Sequence, residues 1–167
     1  MIVLIGFMGA GKSTVGRLLA AQLRLPFADA DAVIEAEQEL SIPDIFEGYG
    51  EPEFRRIEAE TIIRLLAGPE TVLSLGGGAL ATKAVRDALA GHQVVLLDVE
   101  LDEALRRVGG DGSRPMLARN DVPELFASRQ QAYRKAATEV VPVNDRTPQE
   151  VTAAVLTALV SPRATTD

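Results

Sequence analysis

Cysteine and tryptophan are absent from this chain of 167 residues, and histidine occurs once. Without thiols there is no disulfide, no thiolate nucleophile and no cysteine-held metal. The single histidine, His92, lies in a Gly91-His92-Gln93 turn, where a surface position is expected rather than acid–base work. No apolar run approaches the roughly 18 residues needed to cross a bilayer. The N-terminus enters an apolar stretch with no basic segment before it, so a cytoplasmic protein without a membrane partner is expected. An excess of positive charge is lacking as well, since the formal net charge is −7. Non-specific nucleic-acid binding rests on neutralising phosphates, so no nucleic-acid partner is expected. An acidic chain that handles phosphorylated ligands must gather its cations locally.

What is present suits one globular domain over residues 1–167. Hydrophobic residues make up 47% and charged residues 25%, enough for a substantial core. The most informative stretch is Gly6-Phe7-Met8-Gly9-Ala10-Gly11-Lys12-Ser13, directly after Ile2-Val3-Leu4-Ile5. It fits G-x-x-x-x-G-K-[ST], the phosphate-binding loop. Glycines let successive N–H groups turn inward onto phosphate oxygens. Lys12 can reach the β- and γ-phosphates, and the Ser13 hydroxyl can ligate Mg²⁺. A helix beginning near Lys12 adds its positive end.

Strand and helix patterns alternate along the chain, which implies a parallel sheet covered on both faces. Strands are expected at 1–5, 27–28, 71–75, 94–97 and 140–143. Helices are expected at about 12–24, 31–39, 82–90, 102–108, 122–136 and 148–159. Ser41-Ile42-Pro43-Asp44 reads as a helix start, and Gly50-Glu51-Pro52 as a restart running to about Leu66. Two stretches stand outside the alternation. Residues 32–60 are a helical excursion, the expected substrate platform. Residues 109–121 form a glycine-rich loop with Arg114 and Arg119, the expected lid.

Several side chains are placed for chemistry. Asp29 and Asp31 close the second strand, at the end where open α/β sheets bind ligands. One of the two can hold Mg²⁺ and the other can accept from a substrate hydroxyl; Asp31 can also serve as a helix cap. Asp98 is a rival metal ligand, ending the apolar run Val94-Val95-Leu96-Leu97. Ser74 stands where an acid would be in a second such strand. Arg55 and Arg56 point about 100° apart on their helix, so at most one faces a site, unless both pair with Glu58 and Glu60 at the surface. Arg is suited to bidentate carboxylate binding. The triplet Gly76-Gly77-Gly78 suits close approach by a ligand. Arg114 can neutralise a transferring phosphoryl group. Arg129 and Tyr133, four apart, share a helix face.

Together these residues resemble the shikimate kinase family, small P-loop kinases of aromatic amino-acid biosynthesis. The resemblance runs from Ile2 to about Ala158. Its most specific pieces are the loop Gly6 to Thr14, Asp29-x-Asp31, Ser41-Ile42-x-x-Ile45-Phe46, Gly50-Glu51-x-x-Phe54-Arg55-x-x-Glu58, Leu75-Gly76-Gly77-Gly78 and Arg114-Pro115-x-Leu117. It implies a three-layer α/β/α P-loop NTPase fold with a five-stranded parallel sheet in the order 2-3-1-4-5. It implies ATP as phosphoryl donor, Mg²⁺ as metal, shikimate as small-molecule acceptor, and a monomer. Gly9, Ala10, Gly11, Lys12, Ser13 and Thr14 then match the ATP-binding loop, with Arg107 on adenine and Arg114 at the phosphates. Ser13 and Asp29 match the metal site, which favours Asp29 over Asp98. Asp31 matches the acid on the acceptor hydroxyls and the base. Arg55 and Arg129 match the pair on the acceptor carboxylate, and Gly77 and Gly78 match glycines lining it. The stretch 144–148 matches the adenine end only loosely.

Overall fold

The computed structural model describes residues 1–108 and 121–160. Five short strands alternate with helices: β1 (Ile2–Ile5), α1 (Lys12–Leu23), β2 (Phe27–Asp29), α2 (Ala30–Gln38), α3 (Ile42–Leu66), β3 (Val72–Ser74), α4 (Lys83–Ala88), β4 (Gln93–Asp98), α5 (Leu101–Val108), α6 (Val122–Ala136), β5 (Glu139–Pro142) and α7 (Pro148–Val160). A single 3₁₀ turn, Ala79–Ala81, precedes α4. The expected lid falls outside the described residues except for Asp121, and Arg114 and Arg119 fall outside with it.

The strands form one sheet in the order β2-β3-β1-β4-β5. Every pairing is parallel, which agrees with the order implied by the resemblance. Val3 of central β1 stands opposite Leu73 on one side and Val94 on the other. All four β1 residues are buried. A strand with no polar alternation must be covered on both faces, and helices provide that cover: α1 lies against β3 and packs on α7, while α6 lies against β4. Leu4, Leu73, Val95, Leu96 and Leu97 are sealed from solvent at the centre. Because the strands are parallel, Ile5, Asp29, Ser74 and Asp98 all sit at the same edge of the sheet.

The excursion between β2 and β3 has a small core of its own. Ile34 of α2 packs with Ile45, Phe54 and Ile57 of α3, and Ile42 and Phe46 close over them. The restart expected at Gly50 is a kink: Gly50 has φ 81 and ψ 168, outside the helical region, and Pro52 follows. Left-handed backbone of this kind is where glycine is needed, and a proline just after it opens the second half of α3 without losing a required N–H. Ser41 caps the first half, accepting from the Asp44 N–H at 3.2 Å and donating to the Asp44 carboxylate at 2.6 Å. Ser41→Ala is therefore expected to lower stability by about 1 kcal/mol, measured by urea unfolding. No change in the midpoint would show that the cap does not hold the segment.

Two expectations need correction. Asp31 is not the cap of α2. The helix starts at Ala30, and the Asp29 side chain caps it while Asp31 sits in its first turn. The helix expected at 82–90 is only Lys83–Ala88, because the 3₁₀ turn takes residues 79–81 and the left-handed Gly91 (φ 85) ends the segment.

Candidate active site

The phosphate-binding loop joins β1 to α1. Its last glycine, Gly11, is the N-cap of α1 in left-handed backbone, φ 87, and among the described residues no atom beyond its chain neighbours lies within 4 Å of where a Cβ would project. Glycine is needed there for the backbone angle and not for room. The first turn of α1 carries no acidic residue of its own, so the helix supplies its positive end without an internal counter-charge. Lys12 Nζ donates to the carbonyls of Gly6 at 2.8 Å and Phe7 at 3.1 Å. These bonds hold the ammonium across the mouth of the loop.

Ser13 Oγ donates to Asp29 Oδ2 at 2.6 Å. The other carboxylate oxygen of Asp29 accepts from the N–H of Asp31 at 3.1 Å and of Ala32 at 3.4 Å. Asp29 thus caps α2 with one oxygen and faces the loop with the other, so capping and site geometry come from one side chain. The rival acid is engaged elsewhere: Asp98 Oδ2 accepts from Arg134 Nη2 at 2.7 Å. Ser74 is 2% exposed within the sheet. Among the described residues, no three His, Cys, Asp or Glu side chains converge as a metal cage. The pair Ser13 and Asp29 nevertheless fits Mg²⁺, which takes one or two protein oxygens and completes its shell with phosphates and water.

The second half of the site begins at Asp31. Burial pushes its carboxyl above the ordinary carboxylate range, and Asp29 and Glu35 add to the rise; Lys12 and Arg55 oppose it. The same carboxylate therefore lies within the field of the loop lysine and of an α3 arginine. Gly76 leaves it room, because a Cβ there would stand 2.6 Å from Asp31 Oδ1. Arg55 Nη1 donates to Glu58 Oε2 at 2.6 Å, and Glu58 is 1% exposed. Arg55 Nε is buried with no partner among the described residues. Its neighbour Arg56 faces away and pairs with exposed Glu53 and Glu60 at 2.6 and 2.7 Å. The helix therefore divides the two arginines between site and surface. A Cβ on Gly78 would stand 2.6 Å from Arg55 Nη1, and one on Gly77 3.4 Å from Arg129 Nη1. Arg129 reaches this place from α6, over the Phe7 ring at 5.8 Å. Burial lowers its affinity for its proton; the Tyr133 hydroxyl opposes this, and the positive charge of Arg55 adds to it. Two arginines that repel each other beside a glycine turn form a place that an anion stabilises.

A family model described as shikimate kinase matches residues 8–160. A shikimate kinase of Mycobacterium avium (strain 104) is 47% identical over 161 residues, covering 94% of this chain and 92% of that one. The chain belongs to the shikimate kinase family. The structure of the shikimate kinase from Acinetobacter baumannii in complex with shikimate superposes with a TM-score of 0.92 at 33% identity, covering 98% of this chain and 94% of that one. The Aquifex aeolicus shikimate kinase gives 0.84 at 38% identity, with 95% of each chain covered. Members of this family use ATP and Mg²⁺, which suits the loop and the Ser13–Asp29 pair.

Within this shikimate kinase fold, contacts link Ser13 to Asp29 and the Gly76–Gly78 turn to Asp31, Arg129 and Arg55, whereas Arg56, Ser74 and Asp98 lie elsewhere; two further expected residues stand apart. Arg107 stands at the far end of the loop. Its Nη1 donates to Gly9 O at 3.3 Å, its Nη2 to Val143 O at 2.9 Å and its Nε to Glu103 at 2.7 Å. It joins the phosphate loop to the segment after β5. Arg114 lies outside the described residues. Sequence reasoning underrated Glu58 and Tyr133. Glu58 reads as one more acid in a charged helix, and only the structure shows it buried and paired with Arg55. Tyr133 donates to Gly77 O at 2.5 Å across 56 residues, a separation for which the sequence carries no signal.

Proposed function

We propose that the cleft between the Gly6–Ser13 loop and the α2–α3 platform is where this family member carries out its reaction. The γ-phosphoryl group of ATP passes to the 3-hydroxyl of shikimate, giving shikimate 3-phosphate and ADP in aromatic amino-acid (chorismate) biosynthesis. One observation supports the residue assignment: the turn Gly76-Gly77-Gly78 lies against Asp31, Arg129 and Arg55 in succession, and Gly77 also faces the Met8 N–H of the phosphate loop, so the acceptor residues gather beside the donor loop.

The transition state of phosphoryl transfer is loose, so positioning and charge neutralisation dominate. The loop amides from Gly9 to Thr14 and Lys12 hold the phosphate chain, with Arg114 as a further cation on it and Arg107 at adenine. Ser13 and Asp29 would hold Mg²⁺, which supplies charge neutralisation at the phosphates when bound. Asp31 orients the attacking hydroxyl and takes its proton late. Arg55 and Arg129 grip the carboxylate, with Gly77 and Gly78 lining the ring. The grip is remote from the reacting oxygen, so its binding energy can serve orientation. The single-domain organisation, with 32–60 as platform and 109–121 as lid, belongs to the same proposal. So do a monomer and a cytoplasmic location, where ATP is available.

A coupled assay of ADP release tests the acceptor. Shikimate is expected to support turnover while gluconate and nucleoside monophosphates do not; turnover with either of those at shikimate-like rates overturns the proposal. Arg55→Ala is expected to raise the shikimate KM by about 100-fold, the loss of a charge-assisted pair, with the ATP KM nearly unchanged. An unaltered shikimate KM would remove Arg55 from the acceptor site. Light scattering in solution checks the monomer.

A further inference from the structure

Tyr133 is one of the largest side chains withdrawn from solvent, 1% exposed, although it precedes the charged pair Arg134 and Lys135 on α6. A phenol buried this far needs a partner for its hydroxyl. Tyr133 Oη donates its proton to the Gly77 carbonyl at 2.5 Å. A hydroxyl has one proton to give and lone pairs that accept. With the proton on Gly77, the lone pairs are left facing Arg129, one turn back on the same helix; Arg129 Nη1 and the Tyr133 hydroxyl lie side by side over Gly77, 3.4 and 3.6 Å from where a Cβ there would stand. Burial pushes the phenol up to about 12, so it keeps its proton at neutral pH and the direction of donation does not change.

Two acceptor contacts therefore depend on one oxygen. The peptide linking Gly77 to Gly78 is planar, so fixing the Gly77 carbonyl also fixes the direction of the Gly78 N–H, on the residue packed against Arg55. The Arg129 guanidinium is held beside the same turn, over Phe7 of the phosphate loop. We infer that Tyr133 is a positioning residue for the acceptor half of the site, setting the Gly77–Gly78 peptide and the Arg129 guanidinium through its hydroxyl. This rests on the reading of Arg129, Gly77 and Gly78 as acceptor contacts. Tyr133 acts through them and does not itself touch the reacting atoms.

Tyr133→Phe keeps the ring and its packing and removes only the hydroxyl. The expected result is a shikimate KM raised about tenfold. The ATP KM and kcat should stay close to those of the parent protein, with only a modest fall in thermal midpoint from the unpaired Gly77 carbonyl. Arg129→Ala is measured in parallel, and in the double variant the two effects should sum to less than the singles. An Arg129→Ala protein with unchanged shikimate KM overturns the acceptor reading itself. A raised KM in Arg129→Ala with none in Tyr133→Phe leaves that reading standing and overturns this inference. Tyr133→Phe raising both KM values alike, with a strongly lowered thermal midpoint, shows a packing role and overturns it too.

Discussion

Asp31→Asn is expected to lower kcat by about 10²–10⁴ while the protein folds as well as before or better. The asparagine keeps the size and shape of the side chain, so the contact with Gly76 is preserved. It removes the negative charge that orients the hydroxyl and receives the proton. The charge is also costly to the fold. Burial disfavours it first, and Asp29 and Glu35 repel it; Lys12 and Arg55 compensate only in part. The sign follows from linkage. A carboxyl with a raised folded pKa binds its proton more tightly when folded, so stability is lost as pH rises through that pKa. A neutral side chain escapes the loss. Thermal unfolding should thus show an equal or higher midpoint at neutral pH, with a large fall in steady-state turnover and ATP affinity preserved. Turnover within a few-fold of the parent enzyme would exclude Asp31 from the mechanism.

The same residue shows what sequence could and could not disclose. Asp29-Ala30-Asp31 was legible as two acids at the end of a strand, because strands of a parallel sheet end at a common edge and the alternation of elements is strong. The resemblance gave the metal to Asp29 and the acceptor hydroxyls to Asp31, but which of the two caps α2 was not legible. The division depends on where α2 begins, and a start at Ala30 gives the cap to Asp29. Helix starts shift by a residue at small cost when two candidate caps lie two apart. The strand order was legible through resemblance, since adjacency of β1 to β3 and β4 leaves no mark in composition. Helix geometry alone left Arg55 against Arg56 as a choice, and only the resemblance selected Arg55. The outcome depends on Phe54 and Ile57 turning into the small core with Ile34 and Ile45, which carries Arg55 and Glu58 inward and leaves Arg56 among exposed acids. The loop glycines were legible individually because each follows a fixed spacing. The Tyr133–Gly77 bond was not, because it joins a helix to a distant turn by a single hydroxyl.

Lys12→Met should separate the two halves of the site. Methionine approximates the aliphatic stem but brings no charge and no donor. Lost with the ammonium are its bonds to the Gly6 and Phe7 carbonyls and its attraction for the β- and γ-phosphates, whose negative charge is redistributed in the transition state. Removing one preorganised cation or donor of this kind costs about 10²–10³ in kcat, and the ATP KM should rise as well. Shikimate affinity in the absence of nucleotide should be nearly unchanged, because Arg55 and Arg129 act from other elements. The chain has no tryptophan to report binding by fluorescence, so calorimetric titration is the suitable measurement. Arg55→Ala is expected to give the reverse pattern, with weak shikimate binding and an intact ATP KM. The contrast matters more than either value. If Lys12→Met weakened shikimate binding as much as ATP binding, the loop and the platform would not be independent half-sites joined at Asp31. The loop lysine would instead be maintaining the whole cleft through its two carbonyl bonds.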